Sequence, residues 1–133
     1  MDRRIAALTL LAGFTVLPAC RADETARGYG GGDKTWVLQE IDGQSFSTRA
    51  TLTFPEKGRI AGQAPCNSYF GEMTAPYPWF DASRVAATRM ACPKLEAEQT
   101  FLSTLSEMSL SEISGDTMIL SNDDGRSMVF RAD

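Results

Sequence analysis

One stretch of this chain has a helical period, and that restricts the fold more than any other feature. Pro93 to Met108 reads PKLEAEQTFLSTLSEM. Leu95, Phe101, Leu102, Leu105 and Met108 fall at three-four spacing, which predicts one apolar helical stripe. Pro93 suits the first helical position, and Glu96 and Glu98 in the opening turns suit the positive end of the helix dipole. A chain of 133 residues with a single amphipathic helix must build the rest of its core from strands. Short alternating runs are indeed frequent. They lie at Thr35–Ile41, ending at Asp42-Gly43, at Ala50–Phe54, stopped by Pro55, at Arg59–Gly62, at Asn67–Met73 and, more weakly, at Arg84–Arg89. After the helix come Glu112–Ser114, Thr117–Ser121 and Ser127–Arg131, joined by Gly115-Asp116 and Asp124-Gly125 turn pairs, which are hairpin signals. Ile119 is expected to be buried on both sides of its strand. The expected fold is α+β: a small, curved, mostly antiparallel sheet or partial barrel, with one amphipathic helix at about residues 93–108 packed against it.

The N-terminus, MDRRIAALTLLAGFTVLPAC, has a different logic. Arg3 and Arg4 form a positive n-region, and Ile5–Leu17 is apolar and uncharged. Such a run spans only about 20 Å as a helix, short of a hydrocarbon core of about 30 Å, so it reads as a signal peptide. Its end, Leu17-Pro18-Ala19-Cys20, resembles the bacterial lipobox. That resemblance implies cleavage between Ala19 and Cys20, acylation of Cys20 and attachment to a membrane. Arg21 stands where an Asp would signal inner-membrane retention, so the outer membrane, facing the periplasm, is the expected location, with the inner membrane less favoured. The alternative is an ordinary secretory signal with an incidental cysteine.

On this reading residues 1–19 are signal peptide. Residues 20–33, a lipidated cysteine followed by RADETARGYGGGD, form a flexible Gly-rich linker. Residues 34–133 form the domain. Removing Asp2, Arg3 and Arg4 with the signal leaves 11 basic and 16 acidic residues, a net charge of −5. The basic residues are scattered, so nucleic acid is not an expected partner. With Cys20 carrying lipid, Cys66 and Cys92 remain, and a periplasmic pair is expected to form a structural disulfide. Two buried thiols or a redox-sensing pair are the alternatives.

A resemblance extends over the last hundred residues. Gly58 and Gly62 precede Cys66, Asn67 and Gly71. Thr88 precedes Met90-Ala91-Cys92, and Glu98, Phe101 and Leu102 follow on the helix. With the opening Trp36-Val37-Leu38 and Ile41 and Gly43, this pattern resembles the META domain, the family of HslJ-like heat-shock-inducible envelope proteins. The resemblance implies a small β-rich, envelope-associated, often lipid-anchored domain connected with stress response, antibiotic tolerance and motility. It implies no established catalytic mechanism and no cofactor. Two departures stand out: Pro65 replaces a common glycine before Cys66, and Ala75-Pro76-Tyr77-Pro78-Trp79-Phe80 is unusually aromatic and proline-rich.

Catalysis has little to work with. Histidine is absent, which removes Ser-His and Cys-His nucleophiles and His-based metal sites. Asp116, Asp123 and Asp124 lie at turns, and Glu96 and Glu98 read as solvated helix surface. Asn67 reads as a turn residue bonded to nearby backbone. Tyr77, Trp79 and Phe80 form the candidate recognition cluster, as aromatic anchors on a proline-stiffened loop. The bland alternative has Trp79 and Phe80 capping the core. The expected function is that of a non-enzymatic, monomeric envelope lipoprotein contributing to stress resistance through an envelope protein partner. The alternative is a periplasmic module binding a small apolar ligand in a cavity between sheet and helix.

Overall fold

The computed structural model describes residues 13 and 22–133. The expected cleavage and acylation at Ala19 and Cys20 lie outside the described residues. Nine strands and one α-helix follow a short 3₁₀ turn at Ala26–Tyr29: β1 Trp36–Ile41, β2 Gln44–Ser45, β3 Thr51–Leu52, β4 Arg59–Gln63, β5 Ser68–Glu72, β6 Ser83–Ala87, α1 Leu95–Glu107, β7 Leu110–Ser114, β8 Thr117–Ser121 and β9 Ser127–Ala132. No helix among the described residues is long and apolar enough to cross a membrane.

All strand pairs are antiparallel. One sheet runs β2-β1-β9-β8-β7 with β3 also on β1, and a second runs β4-β5-β6. Thr53 and Ala61 exchange backbone hydrogen bonds at 2.7 and 3.0 Å, so the two sheets meet through β3 and β4. The result is a curved, open arrangement with α1 packed on it, not a closed barrel. The turn pairs behave as their chemistry dictates. Asp42 and Gly43 both take positive φ, 51° and 78°, the type I′ geometry that matches strand twist. Gly115 and Gly125 also sit at positive φ.

The core lies between the concave sheet surface and the helix. Trp36, Leu52, Ile60, Tyr69, Phe101, Met118, Leu120, Met128 and Phe130 are almost wholly buried. Tyr69 and Phe101 meet edge to face, centroids 5.6 Å apart. The Tyr69 hydroxyl donates to the Thr51 carbonyl at 2.6 Å, and burial raises its pKa. Gly62 permits this approach: a Cβ there would collide with the Thr51 carbonyl and sit 2.8 Å from the Tyr69 hydroxyl.

Several expectations need correction. Ile119 is not buried on both sides. It faces outward between buried Met118 and Leu120, because the sheet's convex side carries no covering layer. The helix starts at Leu95, not Pro93, and Leu95 is exposed. Its buried face keeps Phe101, Leu105 and Met108 of the expected stripe and adds Glu98 and Thr104. Residues 23–33 are not a flexible linker. Ala26 is wholly buried, Thr25 bridges to Pro76, and the Trp36 indole donates to the Gly31 carbonyl at 3.0 Å. Glycine content suggested a coil, but these glycines let the chain lie flat against the core. A Cβ at Gly31 would press on the Phe54 ring at 2.9 Å.

Candidate functional site

Two regions gather the residues singled out in the sequence. The first is a polar knot at the N-terminal end of α1. Cys66 and Cys92 form a disulfide with Cα atoms 6.0 Å apart. It joins the β4–β5 connection to the segment leading into the helix. Beside it, Glu98 projects inward and is 4% exposed. One carboxylate oxygen accepts the backbone N–H groups of Cys66 and Asn67 at 3.1 and 2.7 Å. The other accepts the Asn67 side-chain amide at 2.6 Å. Asn67 Oδ1 in turn accepts from the Thr88 hydroxyl at 2.9 Å and the Met90 N–H at 2.6 Å. Its amide also donates to the Met90 carbonyl at 3.2 Å.

The Asn67 side chain, expected to bond nearby backbone, instead reaches the segment 21 to 23 residues on. Glu98 is not solvated helix surface, because burying it satisfies three donors of a turn that has no ladder partner there. Each polar atom of this knot is occupied by the fold. Its chemistry is that of a clasp: acceptors matched to N–H donors, with no nucleophile–base pair. Among the described residues no cluster of His, Cys, Asp and Glu is arranged to hold a metal ion. A shallow pocket of about 350 Å³ opens onto the clasp, lined by Asn67 and Glu98 together with Thr88, Arg89, Met90 and Leu95.

The second region is the edge of the sheet at β7. The segment Pro76–Phe80 runs along that edge like an extra strand. The Ser111 N–H donates to the Pro78 carbonyl at 2.7 Å and the Phe80 N–H to the Ser109 carbonyl at 2.9 Å. Trp79 forms an isolated bridge with Leu110. The Tyr77–Pro78 peptide is cis. The aromatic trio divides here. Phe80 is 2% exposed and belongs to the core, which removes it from the recognition cluster. Tyr77 is half-buried, stacked on Tyr29 at 4.7 Å, and its hydroxyl accepts the Ile113 N–H at 3.1 Å. Trp79 is 58% exposed.

Residues opposite each other in a ladder share a face, so Trp79 lies on the same convex side as Leu110. Glu112 pairs with Ile119 on that side. A groove of about 290 Å³ opens on that side, lined by Tyr77, Pro78, Leu110 and Ile119 with the polar Ser111, Glu112 and Ser121. Tyr29 and Ile119 were missed as members of this patch. Tyr29 sits in a stretch that reads as linker, and only the outward face of β8 identifies Ile119.

The residues that carry the resemblance thus meet in space: Cys66 and Cys92 are bonded, and Asn67, Thr88, Met90 and Glu98 join in one clasp. The META domain model matches residues 32–133. The chain belongs to the META domain family. No curated protein matches it in sequence. Among solved structures, its fold is similar to that of a protein from Burkholderia xenovorans determined by NMR. Identity is 22% and the TM-score 0.67, over 88% of this chain and 94% of the other. A second NMR structure matches at 24% identity and TM-score 0.57, over 74% and 87% of the two chains. The crystal structure of a DUF4847 family protein from Bacteroides vulgatus matches at 10% identity and TM-score 0.58, over 77% and 93%. These likenesses support the fold of the META domain. The packed 23–31 segment extends its ordered structure ahead of the matched residues.

Proposed function

We propose that this META-domain chain is an envelope lipoprotein, anchored through Cys20, that contributes to stress resistance by contact and not by catalysis. The observation that carries this reading is the division of labour between its two regions. The buried Asn67 and Glu98 side chains are consumed in the clasp, whereas three large apolar side chains stand exposed along the β7 edge, with Phe70, Val85, Met90 and Leu95 exposed elsewhere. Trp79 is 58%, Tyr29 53% and Ile119 36% exposed. Apolar side chains gathered in this way mark a contact surface, and the aromatic ones are suited to carry most of its energy. Membership of a family not known for enzymatic activity supports the same reading. The lipobox-like Leu17-Pro18-Ala19-Cys20 supports the anchor.

Two measurements test it. Mass spectrometry of the mature N-terminus is expected to find acylated Cys20, and an uncleaved or unacylated N-terminus refutes the anchor. In a strain lacking the protein, a Trp79→Ser variant is expected to fail to restore survival under envelope stress while accumulating to normal levels. Full restoration refutes the placement of the contact surface.

A further inference from the structure

The contact surface lies where the chain leaves for its anchor. Asp23 is held in the fold, its carboxylate accepting the Thr25 N–H at 2.9 Å and pairing with Arg27. The next residue, Glu24, accepts the Tyr77 N–H on its carbonyl at 2.6 Å, and Thr25 bridges to Pro76. The Trp79 N–H closes the turn onto the Pro76 carbonyl at 2.8 Å. The path from tether exit to Trp79 is therefore two backbone contacts and one turn. Three residue steps separate Cys20 from Asp23, and fully extended they reach about 11 Å. The headgroup layer on one side of a bilayer takes up roughly 5–8 Å of that. A domain tied so closely has no room to stand away from the surface that holds it.

We propose that the Tyr29–Tyr77–Trp79 edge, with Leu110 and Ile119, seats directly on the lipid bilayer that carries the Cys20 anchor. This rests on the anchored reading above and names the occupant of the same surface. The chemistry of the patch suits a bilayer interface. Trp and Tyr combine an apolar body with a polar tip and settle at headgroup depth. The charged side chain lining the groove is Glu112, Glu24 lies at the tether exit, and the mature chain carries a net charge of −5. The surface that fits is therefore zwitterionic, with contact driven by aromatic and aliphatic groups and not by cationic attraction. The seating fixes the domain's orientation on the membrane, which the short tether alone does not.

The chain's two tryptophans make the test direct. Trp36 is wholly buried and Trp79 is exposed, so a Trp79→Phe variant gives the Trp36 background. The mature acylated protein is placed in phosphatidylcholine vesicles with or without brominated acyl chains, and the soluble Cys20→Ser chain serves as the free reference. Brominated lipid is expected to remove roughly half or more of the Trp79 emission, as for a ring at interface depth. Iodide quenching of Trp79 is expected to fall severalfold relative to the soluble chain. Acylated, vesicle-bound protein whose Trp79 is open to iodide and untouched by brominated lipid overturns the seating while leaving the anchor intact. Trp79 shielded in native membranes but open in pure lipid vesicles assigns the edge to a protein partner, and overturns it too. Lack of acylation at Cys20 overturns both the anchor and the seating.

Discussion

Replacing Glu98 by Ala tests whether the buried clasp holds the domain together. The substitution removes a side chain that accepts from Cys66 N, Asn67 N and Asn67 Nδ2. Asn67 is 3% exposed, so its donors have little water to turn to. Hydrogen bonds to charged groups contribute about 1.5–3 kcal/mol each. Their loss is not additive, and removing the carboxylate also relieves the expense of desolvating it. Leaving a buried neutral donor unsatisfied costs about 1–3 kcal/mol, and for three donors sharing one site a total of about 3–5 kcal/mol is expected. For a domain with a total stability of about 5–15 kcal/mol, that is a large share. With a urea m-value near 2 kcal/mol/M, the unfolding midpoint is expected to drop by roughly 1.5–2.5 M. Glu98→Gln keeps the shape and one acceptor but turns an NH₂ toward a donor, so it is expected to fall between the two, at about 1–3 kcal/mol. The assay is urea unfolding followed by circular dichroism with the disulfide intact. A Glu98→Ala midpoint within about 0.3 M of the parent, or a Glu98→Gln variant more stable than the parent, refutes the reasoning. The second result would show that desolvation of the carboxylate outweighs its three hydrogen bonds.

Replacing both Cys66 and Cys92 by Ser opens a loop of 26 residues' separation and is expected to lower stability by about 3.5 kcal/mol on the chain-entropy model, read from the same urea curves. Gly62→Ala drives a methyl into the Thr51 carbonyl and the Tyr69 hydroxyl. A loss of about 1–3 kcal/mol is expected, and a neutral result contradicts the close packing of β3 on β4. A chain begun at Lys34 strands the Trp36 indole N–H, whose acceptor is Gly31, and uncovers the core at Ala26. It is expected to melt lower than a chain begun at Ala22, by about 1–3 kcal/mol for the indole alone. Hydrogen bonds from Arg126 hold the Asp42 carboxyl below the usual carboxylate range. Its folded pKa is depressed, so its stabilising contribution is present above the unfolded value and is lost as pH falls through the folded one. Asp42→Asn is expected to flatten the stability–pH profile below about pH 4, and an unchanged acid limb speaks against the pairing.

Periodicity and turn chemistry made much of the fold legible in the sequence. The alternation from Thr117 to Ser121 appears as β8 with those bounds. Asp42-Gly43, Gly115-Asp116 and Asp124-Gly125 each occupy a connection between strands, because a left-handed backbone position leaves few residue choices. Local signals failed where a distant segment decided the outcome. The alternation at Ala50–Phe54 yields only Thr51–Leu52 as regular strand, since Thr53 leaves β1 to pair with Ala61. In the aromatic run Tyr77-Pro78-Trp79-Phe80, composition marked a contact loop. The alternative reading has both Trp79 and Phe80 capping the core; that Phe80 turns in while Trp79 turns out follows from the pairing of the segment with β7.

The order of elements, the α+β class and the family pattern were set by the sequence alone, because turn geometry and side-chain period act over a few residues. Three things came only from the tertiary structure. Glu98 reads as solvated surface from its charge, although it shares the helical face of Phe101 and Leu105; it is buried because Cys66 and Asn67 bring unpaired N–H groups to it from 32 and 31 residues away. The stretch before Lys34 reads as a tether, yet it is docked because Ala26 and Gly31 fill space between Phe54 and Trp36. Tyr29, Trp79 and Ile119 lie 40 to 90 residues apart in the chain, yet they share one surface because β7 accepts the Pro76–Phe80 segment on its open edge. Each of these depends on contacts between segments far apart in sequence, to which short-range patterns are blind.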